Sequence, residues 1–104
     1  MKVSLVISTY NWEEALNLVL KSAKEQSHQA TEIIIADDGS NYKTKDIIKS
    51  FSKDLNLTHI WHKDNGFNKS EILNKAIIKV KNKYIIQIDG DIILHKDFIK
   101  DHVK

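Results

Sequence analysis

The chain contains no cysteine. Disulfides, thiolate metal sites and a cysteine nucleophile are therefore excluded. Arginine is absent too, and all 16 basic residues are lysine. Surfaces that grip nucleic acid usually exploit the planar guanidinium, so no nucleic-acid partner is expected. A net charge of only +2 points the same way. No run approaches the roughly 18–20 apolar residues of a membrane-spanning helix. The opening residues, Met1 to Ser8, carry one lysine and a short apolar run, without the length or the small-residue cleavage site of a signal peptide. With no targeting signal in view, the expected location is the cytoplasm. Proline is missing as well, and no internal repeat is detectable.

What is present fits one small folded domain. A length of 104 residues supports a single core, and 41% hydrophobic with 29% charged residues is ordinary for an ordered globular protein. The stretch Lys83-Tyr84-Ile85-Ile86-Gln87-Ile88-Asp89-Gly90-Asp91 reads as a buried strand that stops abruptly at a turn. Unpaired carboxylates are costly to bury, so Asp89 and Asp91 belong at an opening.

The remaining elements alternate. Residues 3–8 form a near-continuous apolar strand ending at Thr9-Tyr10-Asn11, as a parallel strand covered by helices requires. Asn11 with Glu14 has the spacing of a capping box, predicting a helix over residues 12–26 with Leu16, Val19, Leu20 and Ala23 on one face. A second buried strand, residues 32–36, ends at Asp37-Asp38-Gly39-Ser40, and a helix over 43–53 turns Ile47, Ile48 and Phe51 inward. A less apolar third strand, 57–62, belongs nearer a sheet edge, and a loop runs from Lys63 to Phe67. Asn68 with Glu71 repeats the capping spacing and predicts a helix to about residue 81, with Ile72, Leu73, Ala76, Ile77 and Val80 inward. The lysines crowding its C-terminal half suit the negative end of a helix dipole. A short helix over 96–103 closes the chain.

Alternating strands and helices predict an α/β fold: a Rossmann-like three-layer α/β/α arrangement around a four-stranded, mostly parallel sheet with right-handed crossovers. Such sheets bind ligands beyond the carboxyl ends of their strands. All four predicted strand ends are polar, and three contain acids. Each alone reads as a turn, since Asp-Gly and Asn-Gly are common turn pairs. Their convergence is what points to a site.

Several chemistries lack their residues. No G-x-G-x-x-G or P-loop pattern follows a strand. Asp89 does not open an EF-hand, because the required sixth-position glycine is Leu94. No serine sits in a G-x-S-x-G elbow. His59, His62, His95 and His102 lack H-E-x-x-H spacing and read as structural or surface residues, with His62 set apart by its place at a strand end. What remains is a site of acids and small polar groups. A nucleotide there needs a divalent cation to neutralise its phosphates, and carboxylate oxygens suit Mg²⁺ or Mn²⁺.

These residues resemble the nucleotide-binding half of the GT-A glycosyltransferases, specifically the inverting family 2. The first strand with Thr9-Tyr10-Asn11, the Asp37-Asp38-Gly39-Ser40 signature, Asp64-Asn65-Gly66-Phe67 with Leu73-Asn74-Lys75-Ala76, and the Asp-x-Asp of Asp89-Gly90-Asp91 occur in the family's order. The third segment is similar to the branch with chondroitin-polymerase-like and galactosyltransferase-like enzymes. The resemblance implies transfer of a sugar from a metal-bound UDP-sugar to an acceptor hydroxyl with inversion. It implies that Thr9, Tyr10, Asn11 and Asn65 line the nucleoside pocket. Asp38 would accept the uracil N3–H, Lys69 would serve as a point charge, and Asp89 would bind ribose or assist the metal. Asp91 would coordinate Mn²⁺ or Mg²⁺. It also implies a carbohydrate acceptor and a place at the inner membrane face for the longer enzyme.

The chain departs from the family at Asn68, where arginine is common, and at His95-Lys96, where proline is frequent. The acceptor-binding half and the general base are expected beyond Lys104, so the fragment itself is expected to be inactive, and an apolar face exposed by truncation makes self-association an expectation. A haloacid-dehalogenase-like phosphatase also uses Asp-x-Asp, but after its first strand. A non-catalytic receiver-like or partner-binding module also carries acids at strand ends.

Overall fold

The computed structural model describes residues 1–66 and 68–103; Phe67, part of the Gly66-Phe67 motif, and Lys104 lie outside the described residues. The order is β1 Val3–Thr9, α1 Glu13–Lys24, β2 Glu32–Asp37, α2 Tyr42–Phe51, β3 Leu57–Trp61, α3 Lys69–Ile78, β4 Tyr84–Asp89 and α4 Phe98–His102. The sheet order is β3-β2-β1-β4, and every pairing is parallel. The predicted α/β architecture is therefore the observed one.

The path of the chain explains the layers. Steps from β1 to β2 and from β2 to β3 run in one direction, so right-handed crossovers put α1 and α2 on one face. The return from β3 to β4 runs the opposite way and puts α3 on the other face. The larger core joins Leu16, Val19 and Leu20 of α1, Ile48 and Phe51 of α2, and Ile99 of α4 to Leu5, Ile7, Ile33, Ile35, Ile86 and Ile88 of the sheet. The smaller core sets Ile72 and Ala76 of α3 on Val6, Ile34 and Ala36. Each fully buried Ile or Leu contributes about 1.5–3 kcal/mol relative to exposure. Every position of β1 and β2 is buried, which accounts for their largely apolar character.

β3 is an edge strand as expected, but β4 is not the fully buried strand that its sequence implies. It forms the opposite edge, and only Ile86 and Ile88 are buried along it. α3 packs over β1, β2 and β3, leaving the same face of β4 uncovered. Ile85 is accordingly 42% exposed.

Helix entry also differs from expectation. Neither capping box forms. Asn11 takes a left-handed φ of 43°, and Trp12 occupies the N-cap of α1 without a side-chain hydrogen bond. The Asn11 side chain instead accepts from Asn41 N at 2.8 Å, while its own N–H donates to Ser40 Oγ at 2.8 Å, tying two strand-end turns together. Asn68 does stand at the N-cap of α3, but its amide donates to Asn65 O at 3.2 Å, and Glu71 pairs with Lys75 at 3.4 Å. The cap that forms is Asn41 on α2, accepting from Lys43 N at 3.0 Å. Ile77, expected inward, is 42% exposed because α3 buries only a narrow stripe.

Candidate functional site

Parallel register brings the strand ends level. Ser8 pairs with Ala36 on one side and Asp89 on the other, and Asp37 pairs with Trp61. The chain runs from β1 to one neighbour and returns to the other, so the gap beyond β1 and β4 is the place where strand order reverses.

Asp89 sits in that gap. Its Oδ1 accepts from Ser8 Oγ at 3.0 Å and from Lys69 Nζ at 2.5 Å. The Lys69 ammonium, and then the Ser8 hydroxyl, hold its carboxyl below the usual carboxylate range. Gly90 lies against β1: a Cβ placed on it would stand 2.5 Å from Ser8 O and 3.3 Å from Thr9 Cβ. The glycine is required by this close approach, which lets the turn fold back and present Asp91. The Asp91 carboxylate is exposed and makes no hydrogen bond among the described residues.

At the end of β2 the two adjacent acids part company. Asp37 is fully buried, with Oδ1 accepting from Ser40 N at 2.8 Å and Oδ2 2.7 Å from His59 Nε2, so it braces the turn. Asp38 lines the cleft. Its Oδ1 is 2.5 Å from His62 Nε2, and its Oδ2 accepts from Asn68 N at 2.9 Å. Gly39, at φ +97°, allows the β2 turn to pass Asp64, whose Cα would lie 2.5 Å from a Cβ there.

An open cleft of about 210 Å³ runs between these ends. Ser8, Thr9, Tyr10 and Trp12 supply its β1 side, Asp38 its β2 side, Lys69 and Ile72 its α3 wall, and Asp89 to Asp91 its β4 side. Tyr10 is 49% exposed, and its hydroxyl donates to Asp64 Oδ2 at 2.6 Å. That hydrogen bond, with a smaller contribution from burial, pushes the phenol above its ordinary range.

Six of the expected residues thus meet in one cleft: Thr9, Tyr10, Asp38, Lys69, Asp89 and Asp91. Asn11 and Asn65 do not line it. Asn11 staples turns, and Asn65 lies in an adjacent groove with His62, Asp64 and Asn68. Sequence reasoning missed Ser8, Trp12 and Ile72. Ser8 is disclosed only by register, and the spacing of Ile72 marks it as core alone. Trp12 carried a signal, being a large aromatic just after a strand-end turn, and it is 54% exposed at the rim.

The acids fit a hard divalent cation. Asp91 offers both oxygens, and Asp89 retains Oδ2, since Lys69 and Ser8 engage only Oδ1. Among the described residues, no group of three or more His, Asp or Glu side chains could hold a metal alone. That is consistent with Mg²⁺-type sites, which take one or two carboxylates and complete their shell with phosphate oxygens and water.

Comparison with known proteins bears on this geometry. A family model described as "Glycosyl transferase family 2" matches residues 4–104. Hyaluronan synthase of Pasteurella multocida is 26% identical over 102 residues, covering 97% of this chain and 10% of that protein. Chondroitin synthase of Escherichia coli is 26% identical over 103 residues, covering 98% of this chain and 15% of that protein. The crystal structure of Staphylococcus aureus TarS 1–349 in complex with UDP-GlcNAc matches with a TM-score of 0.89 at 27% identity, covering 99% of this chain and 30% of that chain. The chain thus spans 10% and 15% of the length of those two synthases.

Proposed function

The chain belongs to glycosyltransferase family 2, and from that membership we propose that it forms the donor-binding half of an enzyme that moves a sugar from a metal-bound UDP-sugar to a carbohydrate hydroxyl with inversion. The observation that carries the reading is the placement of Asp38 and Asp91 on one cleft at the carboxyl edge of the sheet. The UDP-GlcNAc complex of TarS, whose fold this chain shares, supports UDP as the nucleotide.

Each residue then has a role set by its position. Thr9 and Tyr10 flank the nucleoside. Asp38 accepts the uracil N3–H, a donor that cytosine lacks. Asp89 and Asp91 provide the carboxylate oxygens for Mg²⁺ or Mn²⁺. Bound there, the cation supplies Lewis-acid stabilisation of the departing diphosphate. Lys69 stands at the same acid and offers a movable positive charge to the phosphates. Asn11 supports the cleft by tying the turn after β1 to the turn after β2. The general base for the acceptor hydroxyl comes from elsewhere in the full enzyme.

The phosphatase alternative loses ground on topology, because Asp89-Gly90-Asp91 ends the fourth strand. Calorimetric titration with UDP and Mn²⁺ tests the reading against a non-catalytic module. Saturable, metal-dependent binding is expected. Asp91→Ala should remove the metal dependence, and Asp38→Ala should weaken binding by about ten- to a hundredfold, the loss of one charged hydrogen bond. Tight binding retained in both variants would refute the site assignment.

A further inference from the structure

Three elements converge behind Asp38. His62 follows β3, Asn68 stands at the N-cap position of α3, and Lys75 stands further along the same helix. Asp38 is only 5% exposed, and each of its oxygens has a protein partner: His62 Nε2 at 2.5 Å and Asn68 N at 2.9 Å. On the far side of the imidazole, Lys75 Nζ lies 3.1 Å from His62 Nδ1. The position of Lys75 is shared with Glu71, 3.4 Å away.

The donor and acceptor chemistry of this chain of contacts admits one arrangement. A lysine ammonium only donates, and an ionised carboxylate only accepts. His62 satisfies both neighbours as a neutral ring with its hydrogen on Nε2 and a bare Nδ1. The other neutral tautomer would point N–H at the ammonium and set two lone pairs against each other at Asp38. A doubly protonated ring would place its Nδ1–H against a like charge.

We infer that His62, held in this tautomer by Asp38 and Lys75 together, is a positioning residue for nucleobase selection. It fixes the orientation of the Asp38 carboxylate, whose lone pairs face the cleft. Those lone pairs match the N3–H of a uracil ring and repel the bare N3 of cytosine. Without His62, one carboxylate oxygen loses its anchor, and the group rotates about its side-chain torsions. The inference rests on the assignment of Asp38 to the nucleobase, and it adds the source of the discrimination.

The test compares UDP and CDP affinity, each with Mn²⁺, in the wild-type chain and in His62→Leu, His62→Gln and Asp38→Ala. Wild type should prefer UDP. His62→Leu should reduce that preference at least tenfold, and His62→Gln, whose amide nitrogen reaches the Nε2 position, should restore most of it. A purely structural role would weaken both nucleotides alike and leave the ratio unchanged. Imidazole ¹⁵N spectra at alkaline pH provide a readout independent of nucleotide: the Nε2–H tautomer should dominate in wild type, and the two tautomers should mix once both ring partners are removed, in the double variant Asp38→Ala with Lys75→Met. Should His62→Leu fail to fold, the wild-type spectrum decides the matter: a dominant Nδ1–H tautomer would leave the Asp38 oxygen without its donor and overturn the inference. A UDP preference that depends on Asp38 but survives in His62→Leu overturns this inference alone. A wild-type chain that does not distinguish UDP from CDP overturns it together with the uracil assignment.

Discussion

Replacing Gly90 with alanine probes the site at its narrowest contact. The new Cβ would lie 2.5 Å from Ser8 O and 3.3 Å from Thr9 Cβ and Oγ1. Comfortable carbon–oxygen contacts begin near ~3.3 Å, so the overlap with Ser8 O approaches ~1 Å. The atom struck is backbone in fully buried β1, which cannot yield by a rotamer change. The turn carrying Asp89 and Asp91 must therefore move. Overpacking of this kind costs about 1–3 kcal/mol. For a domain of this size each kcal/mol lowers Tm by about 4–8 °C. The functional effect should be larger than the stability effect, because a misplacement near 1 Å can cost about a hundredfold where geometry is set by fixed groups. Thermal melts and UDP–Mn²⁺ calorimetry on Gly90→Ala measure the two together. A variant that melts within a degree or so of wild type and binds with unchanged affinity would refute the close-approach argument.

Other perturbations separate the parts of the molecule. Lys69→Met removes the main cause of the lowered Asp89 carboxyl, which should rise toward the ordinary carboxylate range in a ¹³C carboxyl titration. Because the folded-state value is depressed, the pair's stabilisation is present above the unfolded value and fades as pH falls through the folded one, so wild type and variant should converge in acid. Asp64→Asn should bring the Tyr10 phenol down toward its ordinary range, visible as an earlier tyrosinate absorbance rise, and an unchanged curve would contradict the Tyr10–Asp64 bond. Glu32 lies at the opposite end of the sheet, accepting from Ser4 Oγ at 2.6 Å and Lys81 N at 2.7 Å. Glu32→Ala should cost about 1–3 kcal/mol in chemical denaturation for the donors left unpaired, with no change in nucleotide affinity.

The fold was legible where the signal is local. Near-continuous apolar runs at Val3 to Ile7 and Ile33 to Ala36 mark strands flanked on both sides, and those are the two central strands. Polar strand ends marked the ligand edge for the same reason, since parallel strands all finish on one side. What depends on strand order was hidden. Ile85 and Ile86 look alike in sequence, yet Ile85 faces solvent because α3, on its face of the sheet, packs over β1, β2 and β3 and stops short of β4. Asn11 carries a capping residue's spacing but spends its side chain on Asn41, a partner 30 positions away. Ser8 joined the site only once register set it beside Asp89. The Asp38–His62 contact needed β3 to lie next to β2, which no spacing rule states.

The claim that a nucleotide and a divalent cation meet at the carboxyl edge of β1 and β4 is tested most directly by paramagnetic broadening. Mn²⁺ added to the ¹⁵N-labelled chain with UDP should erase amide signals first at Ser8, Thr9 and Asp89 to Ile92, and spare Glu32 and Lys81 at the far end. Broadening that begins at the far end, or none at these positions while UDP is bound, would contradict the account.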